Sequence, residues 1–179
     1  INLSEDGGRS WSKIDNLSIS QCYTVTADDE RPANIFIGTQ DNGVLVSRPD
    51  FNASELQVSW RMLLGGDGAF IARQPGQPPV LFAAAQFGAL VRFEAGKSSP
   101  VPIKPRSARS FEPYRFNWLA PLLVSGQPAA GILFGANKVL RSTNHGAFWE
   151  EISPDLSERQ NTGGNTPFAT VTTLAACKL

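Results

Sequence analysis

Apolar residues recur along this chain in short alternating runs, without the three-and-four spacing of an amphipathic helix. Three segments share one pattern: NIFIGTQDNGVLVSR (Asn34 to Arg48), PVLFAAAQFGALVRF (Pro79 to Phe93) and AGILFGANKVLRST (Ala130 to Thr143). Each is an apolar β-prone run, a corner of small and polar residues, and a second apolar run ending near Arg or Ser. That pattern predicts a β-hairpin. A further short strand is predicted before each hairpin (CYTVTAD from Cys22, AFIARQP from Ala69, LAPLLVSG from Leu119) and another after it (VSWRMLL from Val58, PVPIKP from Pro100, FWEEIS from Phe148). Units of four strands, A to D, recurring about every 50 residues have the length expected of a propeller blade.

The expected architecture is all-β, with blades of four antiparallel strands at about 21–64, 65–110 and 111–157. Partial first and last blades are expected at 1–20 and 158–179. In the first, SWSKI (Ser10 to Ile14) reads as a strand D. In the last, TVTTLAA (Thr170 to Ala176) reads as a strand A, preceded by a Gly-rich D-to-A loop, ERQNTGGNTPF (Glu158 to Phe168). Three blades alone leave unpaired edges and an open side of the core. The partner expected on that ground is a second copy of the chain, in a homodimer, or the missing remainder of a longer chain.

Composition agrees with this picture. Of 179 residues only 18% are charged, while Gly (16) and Pro (13) are plentiful, which favours short strands joined by turns. Sixteen basic residues balance sixteen acidic ones, so no nucleic-acid partner is expected. No membrane span is expected either, because the longest apolar candidate, WLAPLLVSG, is broken by Pro121. Residue 1 is Ile and Met62 is the sole methionine, so residues upstream of position 1 are expected. Cys22 and Cys177 lack metal-ligand spacing and read as buried free thiols. The triplets at Asn2, Asn16 and Asn52 match the N-x-Ser pattern at a frequency common by chance.

Two further segments carry a resemblance. SEDGGRSW (Ser4, Asp6, Gly8 and Trp11) resembles the Asp-box, Ser-x-Asp-x-Gly-x-Thr-Trp, with Ser10 in place of Thr. STNHGAFW (Ser142, Asn144, Gly146 and Trp149) matches it with Asn144 for Asp and Phe148 for Thr. The motif is a turn between strands C and D in which the carboxylate accepts backbone N–H bonds, Gly supplies a positive φ, and Trp packs between sheets. Both copies fall in phase with the repeat, and the chain resembles the Asp-box (BNR-repeat) propellers related to sortilin (VPS10) and to xyloglucanase-type glycoside hydrolases, bacterial members included. The likeness extends over nearly the whole chain. It implies a propeller fold and a location in the cell envelope or outside the cell, rather than in the cytoplasm.

In such a fold the B-to-C corners and D-to-A connections share one rim, and the Asp-box turns lie on the opposite face. The rim residues read from the repeat are Gln40, Asp41, Asn42, Gly65, Gly66, Asp67, Gln86, Arg115, Asn117, Trp118, Asn137 and Lys138. The expected function is binding of a protein or glycan ligand by this rim, without catalysis, cofactor or metal. An alternative is glycoside hydrolysis by the carboxylate pair Asp41 and Asp67; the resemblance to xyloglucanase-type enzymes places their catalytic Asp at the position of Asp41. A third is a purely structural half-propeller completed by dimerisation. Asp-Asn-Gly in TQDNGV is a hairpin signal in its own right, and RSARSF (Arg106 to Phe111) reads as a solvated loop. Sialidase chemistry needs three rim arginines and a Tyr–Glu pair; only Arg115 sits clearly on the rim. His145, the lone histidine, lies in the second Asp-box-like turn, away from any triad partners.

Overall fold

The computed structural model describes residues 2–13, 20–49, 58–76, 79–94, 97, 99–109, 111–126, 131–157 and 169–176. Among these the chain is all-β. It forms three four-stranded antiparallel sheets and one two-stranded hairpin. The hairpin pairs β1 (Asn2–Leu3) with β2 (Ser12–Lys13). The first sheet runs β3 (Cys22–Ala27), β4 (Ile35–Thr39), β5 (Gly43–Ser47), β6 (Arg61–Leu64). The second runs β7 (Gly68–Gln74), β8 (Val80–Ala85), β9 (Ala89–Phe93), β10 (Val101–Pro102). The third runs β11 (Leu122–Ser125), β12 (Gly131–Gly135), β13 (Val139–Ser142), β14 (Glu150–Glu151). In each sheet every strand pairs with the next in sequence, so all three are simple meanders.

Register ties the three sheets together. The central hairpins close on the pairs Thr39↔Gly43, Ala85↔Ala89 and Gly135↔Val139, so each corner has the same length. Positive φ at Asp41, at Phe87 and at Gly88 lets the first two corners turn so tightly.

The period-two alternation of the strands distributes side chains to the two faces of each sheet. Phe36, Val44 and Val46 of the first sheet pack with Ile71 and Ala83 of the second. The opposite face of the second sheet, carrying Phe82, Ala84 and Leu90, joins Leu122, Ile132, Phe134 and Leu140 of the third. The middle sheet is therefore covered on both sides, and its FAAA run supplies the slimness this needs. At Gly38 and Gly68 the backbones themselves meet: a Cβ on Gly38 would strike the carbonyl of Ala69, and one on Gly68 the carbonyl of Gly43. Thr24 reinforces the junction by donating its hydroxyl to the Ala69 carbonyl at 2.5 Å.

Several expectations need correction. Residues 169–176 carry no strand; Val171 makes one backbone bond, to the Ala136 carbonyl (2.8 Å), without an extended ladder beside it. Cys22 is an exposed free thiol because it opens β3, an edge strand. Trp11 is 65% exposed rather than packed between sheets, whereas Trp149 lies against Phe134 with ring centroids 6.1 Å apart. Cys177, Asn16, Asn52 and the segment 158–168 lie outside the described residues. Among the described residues no helix is long and apolar enough to cross a membrane.

Candidate functional site

The corners of the sheets hold most of the residues singled out from the sequence, and the structure sorts them into two groups. At the first junction, Asp41 donates its backbone N–H to the Asp67 carboxylate at 2.8 Å, and Asp67 donates its own N–H to the Gln86 side-chain carbonyl at 3.0 Å. Asp67 is only 7% exposed. Its carboxylate is turned onto the Asp41 backbone, whereas a pair serving glycoside hydrolysis would face each other across a sugar. Gln40 bonds through its N–H to the Gln21 carbonyl, and Asn42 caps the Gln40 carbonyl (3.2 Å), so this corner holds itself and the entry to β3.

Farther along, Phe87 and Trp118 meet edge to face, with centroids 4.9 Å apart. Asn117 donates to the Thr170 hydroxyl (3.0 Å) and accepts from the Leu119 N–H (3.3 Å). Both residues thus stitch the approach to β11.

The second group forms a cleft of about 440 Å³ beside the third sheet. Its floor is a polar node. Asn137 accepts the Arg115 backbone N–H (3.0 Å) and donates to Asp155 (2.9 Å). Arg115 reaches the same Asp155 oxygen (2.9 Å) and the Ser157 hydroxyl (2.8 Å). Burial disfavours the charged form of Asp155, but the hydrogen bonds from Asn137, Ser157 and Arg115 outweigh it and hold the carboxyl well below the usual range. One wall carries a second node: Lys138 bonds Glu151 at 2.6 Å, and Tyr114 donates its hydroxyl to the other Glu151 oxygen at 2.9 Å. The Lys138 contact, ahead of the Tyr114 bond, lowers the Glu151 pKa, while burial and then Glu151 push Tyr114 up to about 12. Arg109 and Glu112 pair at 3.6 Å at the mouth, where Phe111 stands 79% exposed.

Arg115, Asn137 and Lys138 are thus brought together, and each cation in the cleft has an acid of its own. Net charge is nearly cancelled. What remains available is a set of oriented polar groups beside two aromatic rings.

The chain matches no family model, no curated protein and no solved structure.

Tyr114, Glu151 and Asp155 were missed by sequence reasoning. Asp155 had a readable signal: SPDLS is an Asx-turn pattern, and Asp155 accepts the N–H of Ser157 two residues on, at 3.0 Å. Phe111 belongs to the loop read as solvated, and only packing brings it to the cleft. Among the described residues no group of His, Cys, Asp or Glu is arranged to hold a metal.

The two Asp-box-like turns, one between β1 and β2 and the other between β13 and β14, repeat one hydrogen-bond pattern. Ser4 donates to Asp6 (2.9 Å) and accepts from the Gly8 N–H (2.7 Å), while the Ser10 N–H meets Asp6 at 2.9 Å. In the second turn Ser142 donates to Asn144 (2.9 Å) and accepts from Gly146 (2.8 Å), and the Phe148 N–H meets Asn144 at 2.8 Å. The Ser10 hydroxyl adds a bond of 2.6 Å to Asp6 and, with the backbone donors, lowers its pKa to about 2.

Proposed function

We propose that the three sheets are consecutive blades of an Asp-box β-propeller, and that the chain is a non-catalytic segment of it binding ligand on its rim. The common register of the sheets, their face-to-face stacking and the shared bonding of the two turns support the blade reading. The observation that carries the binding reading is the cleft itself, where Arg115, Asn137 and Lys138 stand with Phe111 and Tyr114 in a setting of cancelled charge.

Protein or glycan ligands both belong to this proposal, and an uncharged sugar chain is the better fit. Aromatic faces take the apolar face of a pyranose, and fixed donors and acceptors take its hydroxyls. A strongly anionic ligand would have to displace Glu151 or Asp155 from cations already paired at 2.6 and 2.9 Å.

Calorimetric titration with neutral oligosaccharides tests the proposal, with Phe111→Ala and Lys138→Ala as variants. Phe111→Ala is expected to weaken binding roughly tenfold, the equivalent of about 1.4 kcal/mol of lost stacking. Absence of binding to neutral oligosaccharides and peptides alike, or equal affinity in both variants and the parent, would refute it.

A further inference from the structure

The strand register makes a second, independent correspondence visible. Arg92 stands opposite Val101 in the second sheet, and Arg141 opposite Glu150 in the third; Val91 stands opposite Pro102, and Leu140 opposite Glu151. The next residue on each outer strand is an isoleucine with the same backbone bond: Ile103 donates to Leu90 (2.9 Å) and Ile152 donates to Val139 (3.0 Å). Ile103 and Ile152 are therefore the same position in consecutive sheets.

Ile103 is the seat of the Asp-box-like turn that follows it. Trp149 donates its indole N–H to the Ile103 carbonyl at 3.0 Å, and Gly146 lies so close that a Cβ there would sit 2.5 Å from the Ile103 side chain. Arg92 completes the contact by donating to the His145 carbonyl at 2.7 Å. Ile103 is consequently buried.

The first turn carries the same knob: Trp11 for Trp149, Gly8 for Gly146, Gly7 for His145, with its serine and carboxylate bonded as in the second turn. Yet Trp11 is 65% exposed, and Ile152, the counterpart of the seat, is 43% exposed beside Arg141. Knob and seat both lie on one chain, built to the geometry of an interface that the same chain already contains.

We propose that this chain self-associates by docking the Trp11 turn of one copy on the Ile152 seat of a second copy. Trp11 then donates to the Ile152 carbonyl, Gly8 packs on the Ile152 side chain, and Arg141 takes the Gly7 carbonyl. The contact is reciprocal: each copy offers its knob to the other's seat, so the interface is isologous and closes as a two-fold dimer. It stands apart from the cleft and does not depend on what the cleft binds.

Light scattering on a sizing column over a wide concentration range tests this on the whole chain. The expected mass is twice 19.3 kDa. Trp11→Ala should weaken association about thirtyfold or more, the effect of losing a central tryptophan anchor. Ile152→Glu should do the same. Mixing the two variants should restore association in part, because one of the dimer's two knob-and-seat contacts is then intact. A single-chain mass at every concentration, Trp11→Ala associating like the parent, or no recovery on mixing would overturn the proposal. Because Trp11 is exposed, its removal leaves the fold intact, so the Trp11→Ala mass decides even where Ile152→Glu folds poorly; circular dichroism checks both.

Discussion

Removing the Asp155 carboxylate probes the floor of the cleft and the stability of the third sheet at once. In Asp155→Ala the Asn137 amide, 5% exposed, loses the acceptor of its N–H, and Arg115, its side chain 19% exposed, loses its ion-pair partner. The Ser157 N–H and hydroxyl lose theirs as well. A buried polar group left unsatisfied costs about 1–3 kcal/mol, and the partly wet arginine less. The expected total is about 3 kcal/mol. For a domain of this size that corresponds to a fall in Tm of roughly 6–12 °C. Urea unfolding followed by tryptophan fluorescence, with calorimetry alongside, measures it directly. The pH dependence adds a second reading. Since the folded-state pKa of Asp155 lies below its ordinary value of 3.8, its contribution is complete above that value and is lost as pH falls toward the folded one. The parent should therefore lose stability more steeply below about pH 4 than Asp155→Asn, which keeps the shape but not the charge. A change under about 0.5 kcal/mol in Asp155→Ala, the size of an ordinary surface substitution, would refute the assignment of this node as the anchor of the cleft.

Phe134 is fully buried between Phe116 and Trp149, and Phe134→Ala should cost about 3–5 kcal/mol in the same urea assay. Difference spectra of the parent against Tyr114→Phe should place the Tyr114 phenolate at about pH 12, and Glu151→Gln should lower it only part of the way to the ordinary phenol range, because burial, the larger cause of the rise, remains. Asp6→Ala should speed amide exchange at Arg9 and Ser10, whose N–H groups the carboxylate accepts, and should leave the Tm unchanged at dilutions where the chain is single.

The strands were legible because their information is local. NIFIGTQDNGVLVS carries its alternation, its turn residues and its pairing within one segment, and the observed hairpin spans Ile35–Thr39 and Gly43–Ser47. Strand D of the second sheet was weaker to the eye, as PVPIKP, and forms only Val101–Pro102. The cleft was legible in part. Arg115, Asn137 and Lys138 could be placed on one rim from the repeat, but Glu151 comes from β14 and Phe111 from a connection without periodicity, and no pattern within either segment announces their meeting. Trp11 and Trp149 show the same limit from the other side. Identical motif positions predict identical packing, and whether a tryptophan is covered depends on a surface supplied by a different sheet. The corner amides Gln86 and Asn137 share a further feature that their positions in the repeat do not announce: each accepts a backbone N–H from the stretch leading into its own sheet's first strand.

The sandwiched middle sheet also sets the order in which this chain can become stable during synthesis. Each meander closes from neighbouring residues, so its loop-closure cost is small and its hairpins can form early. The first sheet, however, leaves the ribosome with Phe36, Val44 and Val46 facing water, and only the arrival of Ile71 and Ala83 covers them. Release after Leu64 would free a sticky half-formed layer, and translation as far as Ile103 is needed before that layer has a lid. The nascent chain therefore passes through a window of aggregation risk between those two lengths, during which a chaperone would find exposed apolar surface to bind.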